Sequence, residues 1–114
     1  MIAVIFEVQP HPDRRDAYFD VAAALKPVLT QVEGFISVER FESLTTPGKI
    51  LSLSFFEDEA AVARWRALPV HRDAQSAGRH RIFADYRLRV ARVLRDYGLT
   101  DRAQAPADSR DVHT

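Results

Sequence analysis

The sequence predicts an α+β domain in the order strand, helix, strand, strand, helix, strand. This split βαβ pattern lays two helices on one face of a four-stranded antiparallel sheet. Three observations carry the prediction. Stretches rich in β-branched and aromatic residues alternate with period two, two other stretches repeat apolar residues at three- and four-residue steps, and Pro, Gly or Asp punctuates each junction. A chain of 114 residues has room for one domain of ordinary size and no second core.

Residues 2–9, IAVIFEVQ, set Ile2, Val4, Phe6 and Val8 on one side of a strand and begin the other with Ala3 and Ile5, the pattern of a strand buried on both faces. Pro10 and Pro12 end its pairing, and Asp13, followed three positions on by Asp16, predicts a helix N-cap with an acidic first turn. Tyr18, Val21, Ala22, Leu25, Val28, Leu29 and Val32 draw one apolar stripe along this helix. Pro27 predicts a kink in it, and Gly34 is expected to close it as a left-handed C-cap. Phe35 to Leu44 and Lys49 to Glu57 then form a hairpin through Thr45, Thr46, Pro47 and Gly48.

Asp58 caps a second helix that carries Val62, Trp65 and Leu68, is broken or bent at Pro69, continues from His71 through Ala77 and stops at Gly78. The last and longest strand is expected from Ile82 to Tyr97. In it Ala84, Tyr86, Leu88 and Val90 alternate against Asp85, Arg87 and Arg89, with a bulge or change of neighbour near Ala91 to Val93. After Leu99 the only sizeable apolar residue is Val112, so the domain is set at residues 1–99 and residues 100–114 are expected to be a disordered tail.

Sixteen Lys and Arg balance sixteen Asp and Glu, leaving no global field to hold a phosphate polymer or an anionic membrane, so neither nucleic acid nor membrane is an expected partner. The absence of cysteine excludes disulfides, thiolate nucleophiles and Cys-ligated zinc or haem. No apolar run approaches the roughly 20 residues of a membrane-spanning helix, and MIAVIFEVQP has neither a basic leader region nor a small-residue cleavage site, which makes a cytoplasmic location the expectation. Two helices cover one sheet face only. Leu51, Leu53 and Phe55 lie opposite Ile50 and Phe56 on the third strand, so the second face is apolar too and predicts a homodimer joined sheet against sheet, with the long last strand reaching across to the partner.

Three stretches, GFISVERFESL, LSLSFFEDEAAVARW and VHRDAQSAGRHRIFADYRLRVARVLRDYG, together with the first strand, resemble the antibiotic biosynthesis monooxygenase family of the dimeric α+β barrel group up to about Leu99. Phe55, Phe56, Asp58, Trp65 and His71 follow that family's recurrent order of hairpin strand, acidic helix start, helical Trp and nearby His. The resemblance implies a ferredoxin-like dimeric barrel. It also implies a monooxygenase that oxidises a small phenol- or hydroquinone-like aromatic with O2 and no cofactor. The same family resemblance leaves two alternatives, a haem-binding or haem-degrading monooxygenase and a non-catalytic or isomerase-like barrel that binds a small molecule. Where polyketide oxygenases of this type carry an Asn one helical turn before the Trp, this chain has Ala61, and it contains no Asn anywhere.

The resemblance implies that Trp65 lines a pocket between helices and sheet; the alternative is a plain core position. His71 titrates in the range a general base for a phenol needs, or else hydrogen-bonds water at the surface. Arg87 is the candidate to stabilise a phenolate or peroxide anion, against the alternative of an ion-pair row with Asp85. Phe6, Phe55 and Tyr86 complete the expected site as substrate-binding residues. His11, His80 and His113 form neither HxH nor HExxH spacing, and the four glycines are scattered rather than gathered in a phosphate loop, so no metal, flavin or nicotinamide site is expected.

Overall fold

The computed structural model of the protein describes residues 1–113. Strand β1 (Ile2–Pro10) passes through a 3-10 turn, Pro12–Arg14, into helix α1 (Arg15–Leu29), and strands β2 (Phe35–Glu42) and β3 (Ile50–Phe56) form the hairpin. Helices α2 (Glu59–Ala67) and α3 (Pro69–Ala77) lead through a π-helical turn, Gly78–Ile82, into β4 (Phe83–Arg92), and a short helix α4 (Ala107–His113) lies beyond. The strands run in the order β2-β3-β1-β4, every neighbouring pair antiparallel, which is the predicted split βαβ, ferredoxin-like sheet. Among the described residues no helix is long and apolar enough to cross a membrane.

Because side chains alternate across a strand, the register assigns every strand residue to a face. Val4, Phe6 and Val8 of β1 pair with Ser54, Ser52 and Ile50 of β3 and with Val90, Leu88 and Tyr86 of β4, so these positions share the face that meets the helices. Two apolar clusters form on it. Ile2, Leu29, Phe56, Ala61 and Val62 make one, while Val8, Tyr18, Ile50 and Ile82 make the other. Between Ile50 and Phe56 the helix-facing positions of β3 are the small residues Ser52 and Ser54, which leaves room between the clusters.

Several boundaries differ from the sequence reading. Asp13 is not the helix cap: it lies inside the 3-10 turn begun by Pro12, whose fixed φ suits the first turn, and α1 itself starts at Arg15. Helix α1 ends at Leu29, before Val32, with Thr30 as its cap and the Thr30 hydroxyl donating to the Pro27 carbonyl at 2.9 Å. Gly34 does adopt a positive φ of 89°, but it serves the turn into β2 rather than the helix end. Helix α3 ends at Ala77 with Gly78 as its C-cap, as expected, but Gly78 keeps a helical φ of −59° and leads into the π-helical turn; its missing Cβ makes room for the Phe83 ring.

Asp58 caps α2 as expected, its Oδ1 accepting the Ala61 N–H at 2.8 Å, and the helix breaks at Pro69 with Leu68 extended. Strand β4 stops at Arg92, short of Tyr97: its pairing with β1 ends at Ile2 and Arg92, and beyond it the Val93 N–H donates to the carbonyl of Met1. Its irregularity falls opposite Gln9 and Pro10 rather than at Ala91 to Val93, because Pro10 has no N–H to give the ladder. The stretch expected to be disordered carries α4, and Arg102 ties it locally by donating to the Gly98 carbonyl at 3.0 Å and to the Ser109 hydroxyl at 2.6 Å. The radius of gyration is 16.5 Å, against about 13 Å for a compact chain of this size.

Candidate functional site

A cavity of about 350 Å³ occupies the space left above Ser52 and Ser54, roofed by α1, α2 and α3. That volume lies at the small end of the range for small-molecule sites, roughly 300–1,000 Å³. The Pro69 break builds its roof. By ending α2 just past Trp65 and restarting the chain as α3, it folds His71 back onto the indole, with ring centroids 4.3 Å apart and planes tilted by 32°.

The Nδ1 atom of His71 is buried and has no hydrogen-bond partner. Burial, the largest cause, lowers the His71 pKa to about 4; the adjacent Arg66 carbonyl opposes the shift and the Arg66 charge adds to it. The imidazole is therefore neutral at pH 7 and does not titrate in the near-neutral range expected from the sequence; burial makes it a weaker base than a free histidine, with Nδ1 left open to a bound molecule.

The sheet floor is graded. Along one row the register sets Arg40 beside Ser52, Ser52 beside Phe6, and Phe6 beside Leu88, running from β2 to β4. The β4 end is aromatic: Phe6 meets Phe83 at 5.5 Å and Tyr86 at 5.8 Å between centroids, and Tyr18 closes on Phe83 at 6.1 Å. The β2 end is polar, with Arg40 half-buried and Ser54 buried. Among the described residues, the charged side chains that line the cavity are Lys26, Arg40, Arg66 and Arg79, and no carboxylate lines it.

Of the residues proposed from sequence, the structure brings Trp65, His71, Phe6 and Tyr86 together around this cavity. Arg87 and Phe55 are not part of it. Arg87 is paired in register with Glu7 and Phe55 with Ala3, both on the sheet face turned away from the helices, and strand alternation allows no other outcome once Tyr86 and Phe56 face inward. Among the described residues of the single chain, Arg87 and Asp85 form no ion pair. The Asp85 carboxylate accepts the Tyr86 backbone N–H at 2.9 Å, and Glu7 pairs with Arg89 at 3.1 Å and Lys49 at 3.7 Å.

Arg40, Ser52, Ser54 and Phe83 escaped the sequence reading. The signal for the serines was present in ILSLSFF, where the two small polar residues hold the parity of Ile50 and Phe56. Arg40 shares its parity with Val38, which a face assignment of β2 would have turned inward. Among the described residues no group of three His, Asp or Glu side chains stands close enough to hold a metal ion.

Comparison with known proteins agrees with this geometry. The family model described as antibiotic biosynthesis monooxygenase matches residues 1–77. A protein of Pyricularia oryzae named jasmonate monooxygenase ABM is 47% identical over 93 residues, which make up 82% of this chain and 43% of that protein, so the chain spans less than half the length of this relative. Among solved structures, Rv0793 of Mycobacterium tuberculosis superposes with a TM-score of 0.76 at 20% identity, covering 85% of this chain and 98% of its own. A protein of Deinococcus radiodurans gives 0.76 at 16% identity over 86% and 97% of the two chains. At these identities the structures attest the fold alone.

Proposed function

The chain belongs to the antibiotic biosynthesis monooxygenase family, and we propose that it acts as a monooxygenase on a small phenol- or hydroquinone-like aromatic, using O2 and no bound cofactor. The observation that carries this reading is the stacked Trp65–His71 pair, whose half-buried, neutral imidazole, with its Nδ1 unpartnered, lines a cavity sized for one or two rings.

The chemistry balances without a separate reductant. His71 takes the phenolic proton, and the substrate anion passes one electron to O2. The resulting radical pair joins in a carbon–oxygen bond, and the hydroperoxide loses water to give a quinone. One oxygen atom stays in the product and the other leaves as water, with all the electrons supplied by the substrate. The chain contributes apolar walls from Phe6, Trp65 and the part-exposed Tyr86, and the cations around the cavity favour the substrate anion.

The test is oxygen uptake across a panel of hydroquinones, naphthols and jasmonate, the last included because of the relative's name. Uptake that requires substrate and falls in His71→Ala supports the scheme; uptake unchanged in that variant removes His71 from it. Saturable binding with no oxygen consumption returns the protein to a binding barrel. A haem titration on the same sample is the control for the cofactor, because a shifted and reductant-sensitive Soret band moves the reading to haem, with His71 as the leading ligand.

We also infer that two copies pair through the outer sheet face. There Phe41 is exposed and Ile5, Leu53 and Phe55 are only half-buried. The segment after β4 leaves Leu94 and Leu99 bare, at 78% and 93% exposure. A single species near 12.9 kDa by sedimentation at micromolar concentration would refute the pairing.

A further inference from the structure

We propose that the substrate of this cavity is an apolar acid whose carboxylate is held by Arg40, its hydrocarbon body lying across the sheet toward Phe6 and Leu88. The inference rests on the reading that the cavity is the substrate site, and it adds the class of substrate and the residue that anchors it.

Arg40 enters the cavity from the helix-facing side of β2, half-buried, and its Nε is buried without a hydrogen-bond partner. A guanidinium N–H stripped of water and left unpaired is costly, and native proteins almost always supply an acceptor. Among the described residues, no carboxylate fills that role. Glu42, next on the same strand face, is paired with Arg15, and Glu39 belongs to the opposite face. The acceptor that fits is brought by the ligand, and a planar guanidinium matches a carboxylate in two parallel hydrogen bonds.

Two further features set the rest of the molecule. Among the described residues, Lys26, Arg66 and Arg79 also line the cavity while no Asp or Glu does, so the field inside favours one negative charge. The row Arg40, Ser52, Phe6, Leu88 crosses four neighbouring strands, a span of roughly 14 Å at about 4.8 Å per strand spacing. Its first two members are polar and its last two apolar, which orients the acid toward β2 and the hydrocarbon toward β4. A phenol with a remote acidic substituent satisfies this row and the reaction together.

Trp65 is the only tryptophan of the chain and it lines the cavity, so its fluorescence reports occupancy without any turnover. The probes are 1-naphthaleneacetate and its methyl ester, which differ in charge but little in shape. In the unmodified protein the acid should bind at least about tenfold more tightly than the ester, a difference of about 1.4 kcal/mol. Arg40→Gln should abolish that preference and leave the ester's Kd within about twofold. Equal binding of acid and ester, no binding of the acid up to about 1 mM, or a preference that survives in Arg40→Gln would each overturn the proposal.

So would a preference lost in Lys26→Gln or Arg79→Gln and kept in Arg40→Gln, which would place the charge at the rim. A second measurement needs no variant: in about 1 M NaCl, where the Debye length is about 3 Å, a buried pair keeps its preference and a rim contact loses it. An acid preference without oxygen uptake on any substrate leaves this proposal standing and defeats the oxygenase reading. Uptake without an acid preference does the reverse.

Discussion

The contact between Gly34 and Ala61 seats the roof of the site on the sheet, and replacing Gly34 by Ala measures it. Gly34 has φ of 89°, and its backbone carbonyl accepts the Glu57 N–H at 2.7 Å, tying the start of β2 to the end of β3. A side chain there adopts the left-handed region at a cost of roughly 1–2 kcal/mol. About 0.4–1 kcal/mol is recovered because Ala narrows the unfolded ensemble. The added Cβ would stand 2.7 Å from the Cβ of Ala61, a fully buried residue of α2, so the helix must move. Overpacking of that kind costs about 1–3 kcal/mol, and the net loss should be about 2–4 kcal/mol.

Gly48 supplies the control, since it has a similar φ of 82° but nothing lies within 4 Å of the point where its Cβ would stand, leaving only the backbone strain. Urea unfolding of both variants at one protein concentration should therefore place Gly34→Ala below Gly48→Ala by about 1–3 kcal/mol. Adding Ala61→Gly to Gly34→Ala removes the overlap and should restore part of that gap, whereas Ala61→Gly alone should cost about 1 kcal/mol of helix propensity. Ala61 sits one helical turn before Trp65, so Gly34→Ala should also loosen the Trp65–His71 stack and change the tryptophan emission. Equal losses in the two glycine variants would refute the argument that α2 is held by this close approach.

Three other outcomes are expected. The folded-state pKa of His71, about 4, is below its unfolded value of about 6.5, so the unfolded chain binds the extra proton first and His71 lowers stability as pH falls from about 6.5 to about 4. Above that window its contribution is constant, and the urea midpoint of His71→Gln should fall less than that of the parent between pH 7.5 and pH 4.5; parallel falls would show that the imidazole is not desolvated. Asp58→Ala removes the acceptor of the Ala61 N–H and should cost about 1 kcal/mol in the same assay. Phe55→Ser should weaken self-association in sedimentation while leaving naphthalene binding unchanged, and Phe6→Ala should do the opposite, because the two rings occupy opposite faces of the sheet.

The elements were legible because each is announced by local chemistry that tertiary contacts reinforce. Asp58 caps where its carboxylate says it does, Pro69 breaks the helix, and ILSLSFF pairs with IAVIFEV as alternation requires. What stayed hidden depends on partners far away in sequence. The end of β4 follows the end of its pairing with β1 and the end of α1 a tight turn after Thr30, neither of which β4 or α1 encodes in its own residues. Trp65 and His71 could be found because family resemblance and helical spacing both point to them. Arg87 and Phe55 were misplaced because a residue type suited to catalysis says nothing about which face its strand presents.

The residues that reasoning from stability alone would change are the ones that make the cavity. Ser52 and Ser54 stand at positions where Val or Leu would join the clusters of Ile50 and Phe56 into one continuous core. Arg40 Nε and His71 Nδ1 are buried and unpaired where a core would carry no polar atom at all. Each departure costs folding energy, and all four open on one space with Trp65 at its roof and Phe6 on its floor. Violations scattered at random would read as poor packing. Apart from Arg102 Nε, which lies outside the cavity, they converge on one space with a polar and an aromatic end, and they are what a chain retains when the missing atoms and the missing hydrogen bonds are to be supplied by a bound molecule.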